Sequence, residues 1–310
     1  MRAIIFDGNQ ASYAADYPDP TPVSDESLIR VELAAVCSTD REILRGYRPD
    51  FSGILGHEFV GIVETSNRVD LIGQRVVGEI NLNCGQCLYC RTGRPHHCLE
   101  RTTLGINAKD GSFADYLTLP DHLLWVVDAD ILPEQAVCTE PLAAALRITE
   151  QVSFAADLPV AIVGDGRLAL MICQVLSATT AAELTVIGKH ADKLRLFDPY
   201  ARTSTEPSGS FEVVVDASGS ATSLATSIAL TRSEGTLVMK STYAGLAGID
   251  MSEIVVREIT IKGSRCGPFE PALQLLRDRR VTLPPLELFR PEDFQAALDS
   301  PAFKAALDFR

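Results

Sequence analysis

Four cysteines, Cys84, Cys87, Cys90 and Cys98, fall in the run CGQCLYCRTGRPHHC. Gaps of two residues let neighbouring thiolates turn back onto one tetrahedral centre, each sulfur about 2.3 Å from a zinc ion. Four thiolates leave no open coordination position, so such a site stabilises a lobe of chain, here about residues 84–98, without doing chemistry. Disulfides and an iron–sulfur cluster are the alternatives. Disulfide frameworks belong mainly to small secreted chains. Iron–sulfur clusters use similar gaps, but no second cysteine group accompanies this one. A structural zinc is the expectation.

A second motif handles phosphate. Gly164, Gly166 and Ala169 form G-D-G-R-L-A, between the apolar run VAIV and the helically spaced RLALMICQVLSAT. A strand running into a glycine turn and then a helix is the context in which this pattern binds a dinucleotide. Gly164 permits the tight turn, Gly166 lets a pyrophosphate approach the backbone, and Ala169 lets helix and strand pack closely. The helix start, Arg167, Leu168 and Ala169, offers free N–H groups to the phosphates. An acidic residue about 20 residues on, at the end of the next strand, would bind the ribose 2′-hydroxyl of NAD. That place falls at Gly188, followed by Lys189 and His190, with no carboxylate. Glycine leaves room for a 2′-phosphate and Lys189 can neutralise it, so NADP is expected in preference to NAD.

The elements around these motifs change character along the chain. MRAIIF, SLIRVELAAVC, FVGIVE, RVVGEI and FADYLTLP read as short strands broken by turns, which predicts a β-rich barrel or sandwich. From VAIVGDG onward, strands alternate with helices, through LTVIG, ADKLRLF, FEVVVDASG, SATSLATSIALT, GTLVMKST and EITIKGSRC, which predicts parallel βαβ units. The tail holds helices at PFEPALQLLRDRR and near PEDFQAALDS. The expected fold class is therefore α/β with two domains: a β-barrel domain over 1–135, a parallel-sheet nucleotide domain over 136–264, and a segment over 265–310.

Composition limits the function. With 310 residues, 46% of them hydrophobic, the chain can bury two cores. No apolar run is long enough to cross a membrane. A formal charge of −13 opposes nucleic-acid binding, which draws its affinity from Lys and Arg on phosphates. The opening MRAIIFDG lacks the pattern of an export segment, and eight cysteines then suggest a reducing cytoplasm. Cys138, Cys173 and Cys266 read as small buried residues, and His96 and His97 as surface residues of the cysteine lobe.

Three further segments, AAVCSTDRE, GHEFVG and CTEPLAAAL, complete a set. With C-x-T-D (Cys37 to Asp40), G-H-E (Gly56 to Glu58), the four-cysteine lobe, E-P-L (Glu140 to Leu142) and the glycine turn in this order, the chain resembles the zinc-dependent medium-chain dehydrogenase/reductase family. That family includes sorbitol and threonine dehydrogenases. The resemblance covers nearly the whole chain. It implies a GroES-like catalytic domain carrying two zinc ions, a Rossmann domain inserted before a C-terminal return to the catalytic domain, and a homodimer or homotetramer. It makes Cys37 and His57 ligands of a catalytic zinc, and Glu58 a ligand or a neighbour of one. Glu140 replaces a cysteine, as in the polyol branch, and binds the metal or holds its water. Thr39 relays the substrate proton. The implied reaction moves a hydride between a secondary alcohol or polyol and the nicotinamide; an amino-alcohol or sugar substrate, or a catalytically silent nucleotide-binding relative, is the alternative. Ser38 stands where the family often has glycine, and 199–210 is abbreviated.

Overall fold

A computed structural model describes residues 1–242 and 248–310. The described residues form two compact units, Met1–Glu140 with Leu283–Arg310, and Pro141–Thr282.

The first unit is built on antiparallel pairing. The ten-residue strand Glu26–Ala35 is its centre, because apolar side chains fill its C-terminal half and Leu33, Ala34 and Ala35 are fully buried. It pairs antiparallel with Glu58–Thr65, Tyr116–Pro120 and Ala305–Asp308 in a seven-stranded sheet. Ala11–Ala14, Ala3–Phe6 and Gly53–Ile54 make a smaller sheet, and Asn81–Leu82 pairs with Thr102–Thr103 beside the cysteine lobe. The strand Ala305–Asp308 is short and ends in Asp, so periodicity alone does not reveal it; its partner strand defines it.

The second unit is a six-stranded parallel sheet. Its order is Arg202–Ser204, Glu183–Ile187, Pro159–Val163, Phe211–Asp216, Thr231–Met239, Thr260–Gly263. Numbered along this unit the order is 3-2-1-4-5-6, the doubly wound arrangement that binds ligands where the order reverses, between Pro159–Val163 and Phe211–Asp216. Both faces of the central strands are covered, and Val160, Ala161, Ile162, Val214 and Val215 are fully buried. The polar edge strand Arg202–Ser204 lies in the segment whose brevity stood out in the sequence. The expected helix at ADKLRLF is only Ala191–Leu194.

The boundaries differ from 135/136 and 264/265. The chain enters the second unit at Pro141 and leaves it at Thr282. The helix Phe269–Arg277 stays with the nucleotide unit, burying Phe269, Ala272, Leu273, Leu275 and Leu276. Reciprocal bonds hold it there: Gln174 Nε2 donates to the Thr282 carbonyl and Gln174 Oε1 accepts from the Thr282 N–H, at 2.8 Å each. Among the described residues, no helix is long and apolar enough to cross a membrane.

Candidate metal and dinucleotide sites

Strand register assembles the first site. Glu58 pairs with Ala35 from one side, and Ala306 pairs with Ala35 from the other. Cys37, two residues past Ala35, therefore reaches His57 and Glu58, while Lys304 arrives from the C-terminal strand. The Cys37 Sγ and one atom each of His57 and Glu58 lie within 4.8 Å of one another. Gly56 makes the approach possible: its φ is +92°, and a Cβ there would sit 2.2 Å from the Phe113 ring.

Cys37 caps the helix Ser38–Leu44. Asp40, fully buried in that helix's first turn, accepts the Cys37 N–H at 2.7 Å through Oδ2. Its Oδ1 lies 3.2 Å from His57 Nδ1. Asp40 thus fixes the sulfur's backbone and turns the imidazole, leaving Nε2 as the nitrogen available to a ligand. Thr39, half-buried, places its hydroxyl 3.8 Å from the Cys37 sulfur. Glu140 stands half-buried in the first turn of the helix Thr139–Gln151, outside the three-residue cluster.

The donor set suits a soft dication: a thiol, an imidazole and a carboxylate are zinc ligands that leave a fourth position open. Glu58 Oε1 is buried without a hydrogen-bond partner, and Oε2 forms an ion pair with the Lys304 ammonium. Burial opposes a charge on the His57 ring, but Asp40 and Cys37 outweigh it and hold its pKa well above the usual value. A cation is what so anionic a buried pocket favours.

The cysteine lobe is equally specific. All eight cysteines are free thiols, and the four of the lobe meet as one group instead of in bonded pairs. Cys87 Sγ lies 3.5 Å from Cys90 Sγ and 3.8 Å from Cys98 Sγ, and Cys98 Sγ lies 3.5 Å from Cys84 Sγ. Sulfurs about 2.3 Å from one centre sit about 3.8 Å apart at the corners of a tetrahedron. Backbone N–H groups of Cys90 and Leu99 pull the Cys87 thiol down to about 6, while desolvation and its sulfur neighbours push Cys90 up to about 12. Four thiols this close cannot all ionise without a cation among them.

In the second unit, Gly164 has φ +128°, and a Cβ there would lie 2.8 Å from the Ala217 carbonyl, so the turn requires glycine. Gly166 caps the helix Arg167–Thr179, and a Cβ on it would meet nothing within 4 Å. That open approach to the first-turn backbone of Arg167, Leu168 and Ala169 is what a pyrophosphate needs. Ala169 is fully buried. Gly188 departs from the expectation. The space its missing side chain leaves is filled by Asp165, whose Cβ would be 2.6 Å and Oδ2 2.8 Å from a Cβ there. Lys189 and His190 project from the following turn and are exposed.

Sequence reasoning quoted Asp40 within a motif without giving it a role, although the spacing of Cys37 and Asp40 is that of a capping box. Lys304 stands outside every motif, and Asp165 sits inside the G-D-G-R-L-A turn without a role of its own there. A lysine in the run FKAALD and an aspartate in a glycine turn carry no pattern of their own; distance along the folded chain gives them their partners.

Residues 23–129 match the alcohol dehydrogenase GroES-like domain family. The chain is 30% identical over 272 residues to an L-threonine 3-dehydrogenase of Bacillus licheniformis, covering 79% of this chain and 78% of that one. It is 27% identical over 198 residues to the starvation-sensing protein RspB of Escherichia coli K12, a match spanning 62% of this chain and 58% of that relative. Among solved structures, a zinc-binding dehydrogenase from Sinorhizobium meliloti 1021 bound to NADP superposes with a TM-score of 0.89 at 25% identity, covering 99% of this chain and 98% of that one.

Proposed function

The chain belongs to the zinc-dependent medium-chain dehydrogenase/reductase family, and from that premise we propose that it moves a hydride between a secondary alcohol or polyol and NADP, in either direction, with two zinc ions per chain. One observation carries the reading: Cys37 and the neighbouring pair His57 and Glu58, from separate segments of the chain, converge to within 4.8 Å.

Cys37, His57 and Glu58, with Glu140 as ligand or holder of water, are the residues that would hold the catalytic zinc. Zinc bound there supplies a Lewis acid that polarises the substrate oxygen. The dinucleotide supplies the hydride acceptor or donor. The chain does the rest. Asp40 orients His57, and Lys304 balances the charge of Glu58. The Thr39 hydroxyl, beside the Cys37 sulfur, takes the proton that the substrate hydroxyl loses and passes it on. Gly164, Gly166 and the helix start bind the pyrophosphate. Lys189 and His190 face the adenosine ribose, and Lys189 favours NADP; the Sinorhizobium relative's NADP supports this. Cys84, Cys87, Cys90 and Cys98 hold the structural zinc.

An amino-alcohol substrate is the second reading, favoured by the similarity to a threonine 3-dehydrogenase. Metal analysis together with a screen of alcohols, polyols and amino alcohols, each with NADP and NAD, tests both. Two zinc ions per chain and turnover of a secondary alcohol with NADP are expected. One zinc and no turnover of any alcohol would leave a silent nucleotide-binding relative.

A homodimer or homotetramer fits the exposed apolar helix Met251–Val256, where Met251, Val255 and Val256 are 60%, 68% and 81% exposed, beside the edge strand Thr260–Gly263. A monomer by light scattering would remove this. Free thiols throughout fit the cytoplasm; disulfides in the protein isolated from cells would argue against it.

A further inference from the structure

The carboxylate of Asp165 lies at the centre of the turn that follows the strand Glu183–Ile187. Its Oδ2 accepts the backbone N–H of Lys189 at 2.7 Å and that of His190 at 2.8 Å. The same oxygen lies 2.9 Å from His190 Nδ1. Burial raises the acid's pKa, but the bonds from His190 and Lys189 outweigh it and the net shift is downward. An ionised carboxylate only accepts, so Nδ1 carries the proton and Nε2 is the free end of the ring. The imidazole is about half exposed, so that end is open to solvent.

Gly188 belongs to the same device. A side chain there would displace the Asp165 carboxylate. The pair is interlocked: glycine at 188 makes the room, and the aspartate uses it to tie down the next two residues. Three bonds to one oxygen are more than the turn needs to stay folded, since the Gly188 N–H already donates to the Ser204 carbonyl at 3.0 Å.

We propose that Asp165 is the positioning residue for selection of the dinucleotide: from inside the glycine turn it clamps the backbone of Lys189 and His190 so that the Lys189 ammonium meets the 2′-phosphate of NADP. This rests on the reading of the second unit as a dinucleotide site. The clamp acts through two other residues and does not touch the phosphate. Its benefit is preorganisation: a lysine and a histidine on a loose exposed turn lose side-chain and backbone freedom on binding, and a turn already fixed loses less. The 2′-hydroxyl of NAD makes far weaker use of the same ammonium. Asp165 therefore affects one dinucleotide and not the other.

The test is calorimetric binding of 2′,5′-ADP and 5′-AMP, which share adenine and ribose and differ in the 2′-phosphate. Wild type is expected to favour 2′,5′-ADP. Asp165→Asn, which keeps one accepting oxygen but loses the charge that fixes the imidazole, is expected to cut that preference about tenfold, mostly through 2′,5′-ADP. Gly188→Ala, which pushes the carboxylate aside, is expected to do the same. Should Asp165→Asn fail to fold, Gly188→Ala and His190→Ala carry the test. A purely structural role would weaken both ligands equally and leave the ratio unchanged, which overturns the proposal while the dinucleotide reading stands. A variant that binds 2′,5′-ADP more tightly than wild type also overturns it, because repulsion by the carboxylate would then dominate. A wild type that binds neither probe overturns proposal and reading together.

Discussion

Lys304 and Glu58 form an ion pair in which the two side chains are 3% and 0% exposed. Two such charges remain in a core only because each answers the other. Lys304→Met leaves the carboxylate buried and unanswered, and is expected to cost about 3 kcal/mol in urea unfolding of the metal-free protein. A loss under about 1 kcal/mol would mean that Glu58 finds another partner or takes up a proton. The two clusters that could hold a metal were legible from type and spacing, because cysteine, histidine and glutamate are the usual ligand types. Lys304, Asp40 and Asp165 were not, because each acts by holding another residue, and what they hold is set by strand register and by turns. Gly188 shows the same limit from the other side. Its identity was read as vacancy for a ligand, whereas a side chain from the first turn already fills the space.

The cysteine lobe is an element with little else to hold it. Its helix Leu88–Arg91 has one turn, its second helix Pro95–His97 has three residues, and neither buries a side chain. Leu88 and Leu99 are 59% and 73% exposed. Hydrophobic burial does little to order such a segment, so the proposed structural zinc would supply what holds it. Cys90→Ser is expected to release one zinc and to make the lobe the first site of trypsin cleavage, at Arg91, with the parallel sheet intact. A variant that keeps two zinc ions or resists cleavage would refute this dependence. The regular elements were readable where periodicity is strong, as in Pro159–Val163 and Arg167–Thr179. Arg202–Ser204 and Ala305–Asp308 escaped because short or partly polar strands at such places are specified by the neighbours they pair with.

At the scale of the molecule the two units differ in how the chain builds them. The parallel-sheet unit is one continuous stretch, Pro141–Thr282, while the unit that carries the cysteine clusters is assembled from Met1–Glu140 and Leu283–Arg310. Deleting Leu283–Arg310 removes Ala305–Asp308 from beside the central strand of the seven-stranded sheet and Lys304 from Glu58. The deletion is expected to abolish metal binding by the Cys37 cluster while 2′,5′-ADP binding survives. Retention of two zinc ions by the shortened chain would show that the first segment folds without its closing strand.

The same discontinuity sets an order of events during synthesis. Domains ordinarily fold in the sequence in which they leave the ribosome, the N-terminal one first. Here the later-translated nucleotide unit is complete at Thr282, whereas the earlier segment must wait for the strand that ends it. Its exposed sheet edge is then a liability on the nascent chain, resolved only when the last pairing closes.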